Sequence, residues 1–311
     1  MKRLLTAALL TAALAAPAMA AEPESCKDVH FADVGWTDIT ATTATASVVL
    51  KALGYAPHTS LLSVPVTYTG LGKGDIDVFL GNWMPTMDGD LAPHRDNGTV
   101  IVLRPNLEGA KYTLAVNRSL ADEGLKDFSD IAKFADQLDS KIYGIEAGND
   151  GNRQILDMIS KDAFGLGKFE LVESSEQAML AEAKRAQKSG KGIVFLGWEP
   201  HPMNKNIDMV YLTGGDDFFG PNFGGATVYT NVRKGLVEEC PNLGQFLNNL
   251  GFTLEMENAI MGAILDDGED PEAAATAWLK ANPDALGPWL QNVTTFDGQD
   301  GLAAVKAALG D

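Results

Sequence analysis

The chain contains few of the residues that build metal centres or nucleophilic sites. Its 311 residues include only two cysteines and four histidines, and no Gly-x-Ser-x-Gly segment is present. The histidines lack the short spacings that zinc ligation requires, and one disulfide is the usual fate of two cysteines in an exported chain. We therefore expect no metal, no cofactor and no catalytic residue of the nucleophile-elbow type.

Basic residues and long apolar runs are also scarce. The chain has 24 Lys and Arg against 42 Asp and Glu, which gives a formal net charge of -18. A charge of this sign repels nucleic acid and anionic lipid and weakly attracts cations. After residue 20 no apolar run approaches the roughly 20 residues that cross a bilayer. Nucleic acid and membrane lipid are therefore excluded as expected partners.

The first 20 residues have the pattern of a secretory signal peptide. Lys2 and Arg3 precede an apolar stretch at 4–16, and Ala18-Met19-Ala20 provides a small-x-small cleavage site. We predict cleavage after Ala20. No cysteine follows directly, because Cys26 lies several residues on, so a lipid anchor is not expected. The mature chain is predicted to be a free protein of a Gram-negative periplasm or of the cell exterior.

Strand and helix signals alternate along the mature chain, which is typical of parallel-rich sheets covered by helices. Predicted strands cover 29–34, 60–66, 76–80, 100–103, 112–116, 141–145, 169–172, 193–196, 209–212 and 226–232. Predicted helices cover 40–53, 128–138, 153–164 and 176–187, and the pattern is helical from Pro241 onward. The segment 214–225 is predicted to be a loop.

Two α/β units with two crossings between them predict two lobes around a cleft. We expect a discontinuous terminal lobe of residues 21–111 plus 211–311 and an inserted lobe of residues 112–210. Cys26 and Cys240 lie more than 200 positions apart. If they pair, the start of the mature chain lies beside a late segment, which a lobe built from both ends of the chain allows.

Three of the five tryptophans follow an apolar, strand-like run and a turn residue. They are Trp36 after Val-His-Phe-Ala-Asp-Val-Gly, Trp83 after Val-Phe-Leu-Gly-Asn, and Trp198 after Ile-Val-Phe-Leu-Gly. Ligands of open α/β sheets bind outside the carboxyl ends of the strands, so these indoles are predicted to line one cavity. Aromatic faces suit an organic cation, above all a quaternary ammonium. The alternative is core packing, which we favour for Trp278 and Trp289 in the helical tail.

Two polar residues beside these segments are further candidates for ligand contact. Asp38 follows Trp36 and precedes a predicted helix, so it is either a helix N-cap or an acceptor at the mouth of the cleft. Asn149 lies in Glu-Ala-Gly-Asn-Asp-Gly-Asn and is a cap, a turn residue or a ligand contact. The glycines around Asn149 match neither the dinucleotide fingerprint nor the P-loop. The acidic run at 266–270 lacks the ligand spacing of a calcium loop.

Three motifs taken together resemble one family. They are Gly35-Trp36-Thr37-Asp38, Gly81-Asn82-Trp83-Met84-Pro85 and Gly197-Trp198-Glu199-Pro200-His201-Pro202. The combination is similar to the substrate-binding proteins of quaternary-amine ABC importers over nearly the whole mature chain, and within that group to its choline-binding members. The resemblance implies a two-lobed, hinge-closing periplasmic binding protein of the type II-like class, each lobe a mostly parallel sheet flanked by helices.

The resemblance also assigns roles to individual residues. It implies a cage for the trimethylammonium group that adds Tyr112, in Ala110-Lys111-Tyr112-Thr113, to the three tryptophans. It implies that Asp38 and Asn149 contact a ligand hydroxyl, and that Cys26 pairs with Cys240. The implied partners are a membrane permease and an ATPase, and we expect a monomer.

Choline is the expected ligand, because a hydroxyl is satisfied by an acceptor such as Asp38, whereas the carboxylate of glycine betaine would be repelled by it. Glycine betaine and carnitine remain alternatives if Asp38 points away from the ligand, and acetylcholine is a further ligand left open. A periplasmic enzyme acting on a choline ester is an alternative from another class. It requires an activated nucleophile and a base, and the sequence offers no such pair, so we expect no enzyme activity.

Overall fold

The structure is a computed structural model that describes residues 22–310, and the predicted signal peptide at 1–20 lies outside the described residues. The described chain folds into a mixed sheet with helices packed around it. The strands are β1 (Asp28–Asp33), β2 (Ala56–Leu61), β3 (Val78–Met84), β4 (Val100–Asn117), β5 (Lys141–Tyr143), β6 (Glu170–Val172), β7 (Val194–Glu199), β8 (Met209–Tyr211) and β9 (Gly225–Arg233).

Helices follow most strands in the first two thirds of the chain and dominate the last third. They are α1 (Thr37–Ala52), α2 (Val64–Lys73), α3 (Asp88–Asp96), α4 (Arg118–Asp122), α5 (Asp150–Ser160), α6 (Glu176–Ser189), α7 (Met203–Asn206), α8 (Asp216–Phe219), α9 (Pro221–Gly224), α10 (Leu236–Glu239), α11 (Pro241–Asn249), α12 (Leu254–Leu265), α13 (Pro271–Ala281), α14 (Leu286–Trp289) and α15 (Gly301–Leu309). Short 3-10 helices cover Glu24–Cys26, Phe128–Phe134, Ala163–Gly165 and Pro283–Ala285.

The sheet has two similar halves that share the long strand β4. The strand order is β2-β1-β3-β9-β4-β7-β5-β6, and β8 pairs with the end of β4. In one half β1 runs parallel to β2 and β3, and β9 pairs antiparallel with β3 and β4. In the other half β5 runs parallel to β6 and β7, and β4 pairs antiparallel with β7 and β8. The predicted α/β class is confirmed, whereas the sheet is mixed and not mostly parallel, because the strand pairs that involve β4 and β9 are antiparallel.

Strand β4 changes partner at Lys111. Before that residue β4 pairs with β9, and Lys111 itself pairs with both Gly225 of β9 and Glu199 of β7. After Lys111 the partners of β4 are β7 and β8. The two predicted strands at 100–103 and 112–116 are therefore parts of one strand. Strand β4 joins the two halves of the sheet because its backbone groups form hydrogen bonds with β9 along its first part and with β7 and β8 along its second part.

The predicted strand at 60–66 is wrong over most of its length. Strand β2 ends at Leu61, and α2 begins at Val64 with Pro65 in its first turn. Proline is favoured there because its missing N–H would have no partner inside the helix. The alternating apolar residues at 62, 64 and 66 imitated a strand pattern. At 128–138 the structure has a 3-10 helix, Phe128–Phe134, where an α-helix was predicted.

The amino-terminal segment is fixed to a late part of the chain in two ways. Cys26 and Cys240 form a disulfide between residues 214 positions apart. Beside it, the Glu22 carboxylate accepts hydrogen bonds from the backbone N–H groups of Asn242 and Leu243, at 2.9 and 3.0 Å. These N–H groups belong to the first turn of α11 and have no partner within the helix. The predicted juxtaposition of the two ends is therefore present.

We expect the double substitution Cys26→Ala/Cys240→Ala to lower the free energy of unfolding by about 3–5 kcal/mol. Closing a loop of this length restricts the unfolded chain by about 5 kcal/mol in the chain-entropy model. The measurement is guanidinium unfolding of the variant beside the wild type, with and without reductant. Reduced wild type serves as the matched control and should approach the variant. A decrease of less than about 1 kcal/mol in the free energy of unfolding would contradict this prediction, because the disulfide would then contribute little to stability.

Among residues 22–310 no helix combines the length and apolarity that crossing a bilayer requires.

Candidate functional site

Four aromatic side chains surround a small cavity where the two halves of the sheet meet. The space between them measures about 230 Å³, including the part open to solvent, and is lined by Trp36, Asp38, Trp83, Tyr112, Ile145 and Trp198. Each lining side chain belongs to a residue at most 5 % exposed. The three predicted tryptophans and Tyr112 therefore lie around one closed space. Its walls are aromatic faces, one branched alkyl chain and one carboxylate.

The turn between β1 and α1 positions Trp36. Gly35 has φ +83°, a conformation that side chains other than glycine rarely adopt. The Asp33 carboxylate accepts hydrogen bonds from the Gly35 N–H at 2.7 Å and from the Thr40 hydroxyl at 2.7 Å. These bonds hold the turn against the first turn of α1. Trp36 then occupies the position before the helix and points its side chain into the closed space.

Trp83 and Trp198 come from equivalent places in the two halves of the sheet. Trp83 lies near the end of β3 and Trp198 near the end of β7, and each is followed two residues later by a cis proline, Pro85 or Pro200. Five of the six residues of β7 and six of the seven of β3 are buried. Strands covered on both faces bring their last side chains directly to the sheet edge where the cavity lies.

Tyr112 stands between the two strand-end tryptophans. Its ring centroid is 5.9 Å from that of Trp83 and 6.2 Å from that of Trp198, the latter edge to face. The buried ring of Phe219, from the segment predicted as a loop at 214–225, meets Tyr112 edge to face at 5.9 Å. The Tyr112 hydroxyl donates to Asn149 Oδ1 at 3.0 Å. Tyr112 is thus held from several sides, although its motif alone did not single it out.

Two indole N–H groups are directed at carboxylates and leave the ring faces free. Trp83 Nε1 donates to Asp38 Oδ2 at 3.0 Å, and Trp36 Nε1 donates to Glu146 Oε1 at 2.9 Å. These bonds fix each ring in its plane, and each is charge-assisted when its carboxyl group is ionised. An ionised carboxylate at the indole edge also adds negative potential at the cavity. Both effects favour a bound cation over a neutral or anionic molecule.

Asp38 lies in the first turn of α1 and is not its N-cap, which is Trp36. Its Oδ1 atom is buried and accepts no hydrogen bond from the protein. Burial, together with the nearby Glu176 carboxylate, raises the pKa of Asp38 from 3.8 to about 8. The carboxyl group therefore lines the cavity with one unsatisfied acceptor and is easily protonated near neutral pH. An acceptor of this kind suits a ligand that brings a hydroxyl and a positive charge.

Asn149 does not line the cavity but contacts Tyr112, which does. It is the N-cap of α5, because its Oδ1 accepts the Asn152 backbone N–H at 3.1 Å. The same oxygen accepts the Tyr112 hydroxyl, and the Asn149 side chain does not line the cavity. Of the three alternatives left open by the sequence, the structure contains the cap. Its direct contact with a ligand stays a prediction.

Several further acidic groups near the site were not selected from the sequence. Burial raises the pKa of Glu146 to about 7 and that of Asp150 to about 6. Burial and the Asp38 carboxylate hold the pKa of Glu257, on α12, well above its usual value. No residue lining the cavity is basic. The lining therefore offers an acidic group and no basic one, which favours a cation over a carboxylate.

Ile145, Glu146 and Glu176 were missed because nothing local marks them. Ile145 and Glu146 follow β5, and Glu176 opens α6, each at an ordinary element boundary. Trp278 and Trp289, assigned to packing, lie in the helical tail and do not line the cavity. Within residues 22–310 no cluster of His, Cys, Asp and Glu has the arrangement of a metal site.

An α/β fold with a closed aromatic cavity between two sheet halves defines a substrate-binding protein that encloses a small ligand. The chain belongs to the OpuAC family, the substrate-binding domain of ABC-type glycine betaine transport systems, whose model matches residues 27–281. The fold is the two-lobed arrangement of that family. The members are components of transport systems.

Similar proteins with known structures bind related ligands. An ABC-transporter choline-binding protein in complex with choline is 66 % identical, with a TM-score of 0.92, over 93 % of this chain and 100 % of that one. An ABC-transporter choline-binding protein in an unliganded semi-closed conformation is also 66 % identical, with a TM-score of 0.86, over 93 % of this chain and 100 % of that one.

A curated relative is the glycine betaine/carnitine transport binding protein GbuC of Listeria monocytogenes. It is 33 % identical over 165 residues, which are 53 % of this chain and 54 % of that protein. The chain therefore matches about half the length of this relative. Glycine betaine and carnitine share the trimethylammonium group of choline and carry a carboxylate that choline lacks.

Proposed function

We propose that the protein captures choline in the periplasm and delivers it to the permease and ATPase of an ABC importer. The observation that carries this proposal is the closed cavity of four aromatic side chains with the unsatisfied carboxylate oxygen of Asp38 in its wall. The similarity to choline-binding proteins supports it at 66 % identity over nearly the whole chain. The signal-peptide pattern at 1–20 supports export.

The aromatic wall supplies most of the binding energy in this proposal. A quaternary ammonium has a methylated surface and a diffuse charge, so indole faces both bury it and attract its charge. A desolvated cation–π contact contributes about 2 kcal/mol. Trp36, Trp83, Trp198 and Tyr112 together can therefore supply the roughly -8 kcal/mol of micromolar affinity. The costs of lobe closure and ligand ordering are subtracted from that sum.

The choline hydroxyl is assigned to Asp38. Its Oδ2 is occupied by the Trp83 indole, and its buried Oδ1 accepts nothing from the protein. A ligand O–H would satisfy that oxygen, and the ligand charge would favour the ionised carboxylate. Asn149 is proposed as a second partner. Its Oδ1 already accepts a hydrogen bond from Tyr112, which lines the cavity.

We propose that the lobes comprise residues 21–111 plus 211–311 and residues 112–210. The change of β4 partners at Lys111 supports the first crossing. In this division Trp36, Asp38 and Trp83 belong to the terminal lobe, and Trp198 to the inserted lobe. A ligand that contacts both lobes stabilises the closed form, because only that form completes the cavity.

Glycine betaine is a second candidate, favoured by the raised pKa of Asp38. A protonated Asp38 carboxyl group can donate a hydrogen bond to the carboxylate of betaine. Choline then requires the ionised Asp38 carboxylate, whereas glycine betaine requires the protonated Asp38 carboxyl group. Choline binding strengthens as Asp38 ionises, whereas betaine binding weakens, and the acidic surroundings favour choline at neutral pH and above.

The proposed role includes no chemical step. The family consists of transport binding domains, and a hydrolase for choline esters would need a nucleophile beside a base at the cavity. The polar groups that line it are the Asp38 carboxyl and the buried Tyr112 hydroxyl, whose pKa burial raises well above its usual value. Neither is activated for attack, so acetylcholine should bind or be rejected but stay intact.

We expect calorimetry at pH 8 to show tight choline binding and at least 100-fold weaker binding of glycine betaine. The matched control is 3,3-dimethylbutan-1-ol, the uncharged carbon isostere of choline. It has the same shape and hydroxyl but no charge, so cation–π attraction predicts at least 100-fold weaker binding than choline. Equal affinity for the isostere would make the cavity a hydrophobic pocket. Preference for betaine would overturn the Asp38 assignment, and released acetate from acetylcholine would restore the enzyme alternative.

A further inference from the structure

Glu176 is a buried carboxylate that joins α6 to the start of α1. Its Oε2 accepts the Thr37 backbone N–H at 2.9 Å, and its Oε1 accepts the Thr37 hydroxyl at 2.5 Å. Glu176 and Thr37 are only 1 % and 3 % exposed. The first N–H groups of a helix lack partners inside it, and Trp36 provides no side-chain cap. Glu176 thus caps α1 from a segment 139 positions away in the chain.

The same carboxylate contacts the segment that carries Trp198. His201 Nε2 lies 3.2 Å from Glu176 Oε1, and His201 Nδ1 accepts the Met203 backbone N–H at 2.8 Å. Because Nδ1 accepts, Nε2 carries the hydrogen and donates to Glu176. The His201 ring meets the Trp198 indole edge to face at 4.9 Å. Glu176 therefore links the Trp36-Thr37-Asp38 segment to the Trp198 side of the cavity.

Glu176, Thr37 and His201 do not line the cavity. In the proposed lobes Thr37 belongs to the terminal lobe, whereas Glu176 and His201 belong to the inserted lobe. The contact therefore crosses between the lobes. The overlap with the choline complex, TM-score 0.92, exceeds the overlap with the semi-closed unliganded form, 0.86, so the arrangement that contains these contacts is nearer to the choline-bound one.

We propose that Glu176 is a closure latch that forms when the lobes close and sets the rate at which the ligand leaves. This inference rests on the proposed function and lobe division. Burying a carboxylate is costly unless donors satisfy it. Thr37, in the other lobe, provides its two donors only in the closed arrangement, whereas His201 lies in the same lobe as Glu176. Closure also brings Glu176 near the Asp38 and Asp33 carboxyl groups, an unfavourable approach that a cation in the cavity offsets.

A latch of this kind has a kinetic signature. The ligand enters the open form, where the latch is not made, so the association rate depends little on Glu176. The ligand leaves after the latch breaks, so the dissociation rate depends on it strongly. We expect Glu176→Ala to raise the choline dissociation rate by about 30-fold and to change the association rate by less than threefold, followed by stopped-flow tryptophan fluorescence.

Thr37→Val tests the same contact from the other lobe with little change in shape. It should raise the dissociation rate by about 3- to 10-fold, and in the double variant it should add nothing to Glu176→Ala, because both remove one contact. Glu176→Gln keeps an acceptor for the Thr37 N–H and should restore part of the slow dissociation. Glu170→Ala removes an exposed carboxylate of β6 in the same lobe and should match the wild type.

A purely structural role predicts a different result. It would lower the melting temperature of the ligand-free variants as much as that of the choline-bound variants and leave the dissociation rate unchanged. An unchanged dissociation rate in both Glu176→Ala and Thr37→Val overturns the latch. If Glu176→Ala fails to fold, Thr37→Val decides alone. If the wild type binds no choline, the proposed function itself is contradicted. If the wild type binds choline tightly and the variants associate fast and dissociate at the wild-type rate, only the latch is contradicted.

Discussion

Replacing Trp198 by alanine is expected to weaken choline binding by about 100-fold while the ligand-free protein stays folded. The variant loses one desolvated cation–π contact, about 2 kcal/mol, and the packing of a large ring against the methyl groups. About 3 kcal/mol in total corresponds to roughly two orders of magnitude in dissociation constant. Calorimetry of choline binding and the melting temperature without ligand measure the two effects separately.

Trp289 provides a matched control for this prediction. It is buried in the helical tail, donates from Nε1 to the Gly251 carbonyl at 2.8 Å, and stacks edge to face on Phe252. Trp289→Ala should therefore lower the melting temperature and leave the affinity of the folded fraction nearly unchanged. Trp198→Phe retains an aromatic face and should lose about 10-fold. Unchanged affinity in Trp198→Ala would remove this indole from the binding site.

Asp38→Asn is expected to abolish the pH dependence of choline binding and weaken it by about 100-fold at pH 8. The carboxyl pKa of about 8 means that Asp38 is mostly protonated in the ligand-free protein at pH 6. Binding that requires the ionised form should strengthen by about tenfold per pH unit up to that pKa. Asparagine keeps the shape and the acceptor for the Trp83 indole but carries no charge. Calorimetry at pH 6, 7, 8 and 9 gives the profile.

The same substitution should stabilise the ligand-free protein at high pH. The pKa of Asp38 is raised in the folded state, about 8 against 3.8 for an exposed carboxyl group. The unfolded chain therefore ionises first as pH rises, and the contribution of Asp38 to stability is full below pH 4 and is lost between pH 4 and 8. Asp38→Asn avoids this loss, so its advantage in melting temperature should grow from pH 4 to 8.

Asp136, which is exposed on the surface, supplies the matched control. Asp136→Asn removes one negative charge without touching the cavity, so both its binding profile and its stability profile should follow the wild type. A pH profile for Asp38→Asn that keeps the wild-type slope would assign the titration to another acid, with Glu146 the first alternative because burial raises its pKa to about 7. If Asp38→Asn loses choline binding but gains no stability at high pH, the claim that ionised Asp38 destabilises the ligand-free protein is contradicted.

Much of the architecture was readable from local patterns. Alternating strand and helix signals predicted the α/β class, and the predicted boundaries of β1 and α6 lie within two residues of those in the structure. The errors have local causes as well. Helix α2 was taken for a strand because residues 62, 64 and 66 alternate like one side of a strand. One strand was read as two because β4 contains Pro105 and Gly109, which usually interrupt strands.

The sequence by itself marked three of the four aromatic residues that surround the cavity. A tryptophan that follows a buried strand must emerge at the strand end, and strand ends of one sheet lie close together, so Trp36, Trp83 and Trp198 were marked by their own neighbours. The acidic charge balance argued against nucleic acid and anionic lipid as partners. The scarcity of histidine and cysteine argued against a metal centre or a nucleophilic active site. These properties depend on residues only a few positions apart.

Only the tertiary structure decided how the wall of the cavity is supported. The Thr37–Glu176 contact joins residues 139 positions apart, and the Trp36–Glu146 bond joins residues 110 positions apart. It also decided that Asn149 caps a helix behind Tyr112 and that the Asp38 carboxyl is buried with a raised pKa. The period of an apolar pattern identifies the buried face of an element but not which other element covers it. Contacts between distant segments, and the pKa values they set, therefore follow from the packed fold.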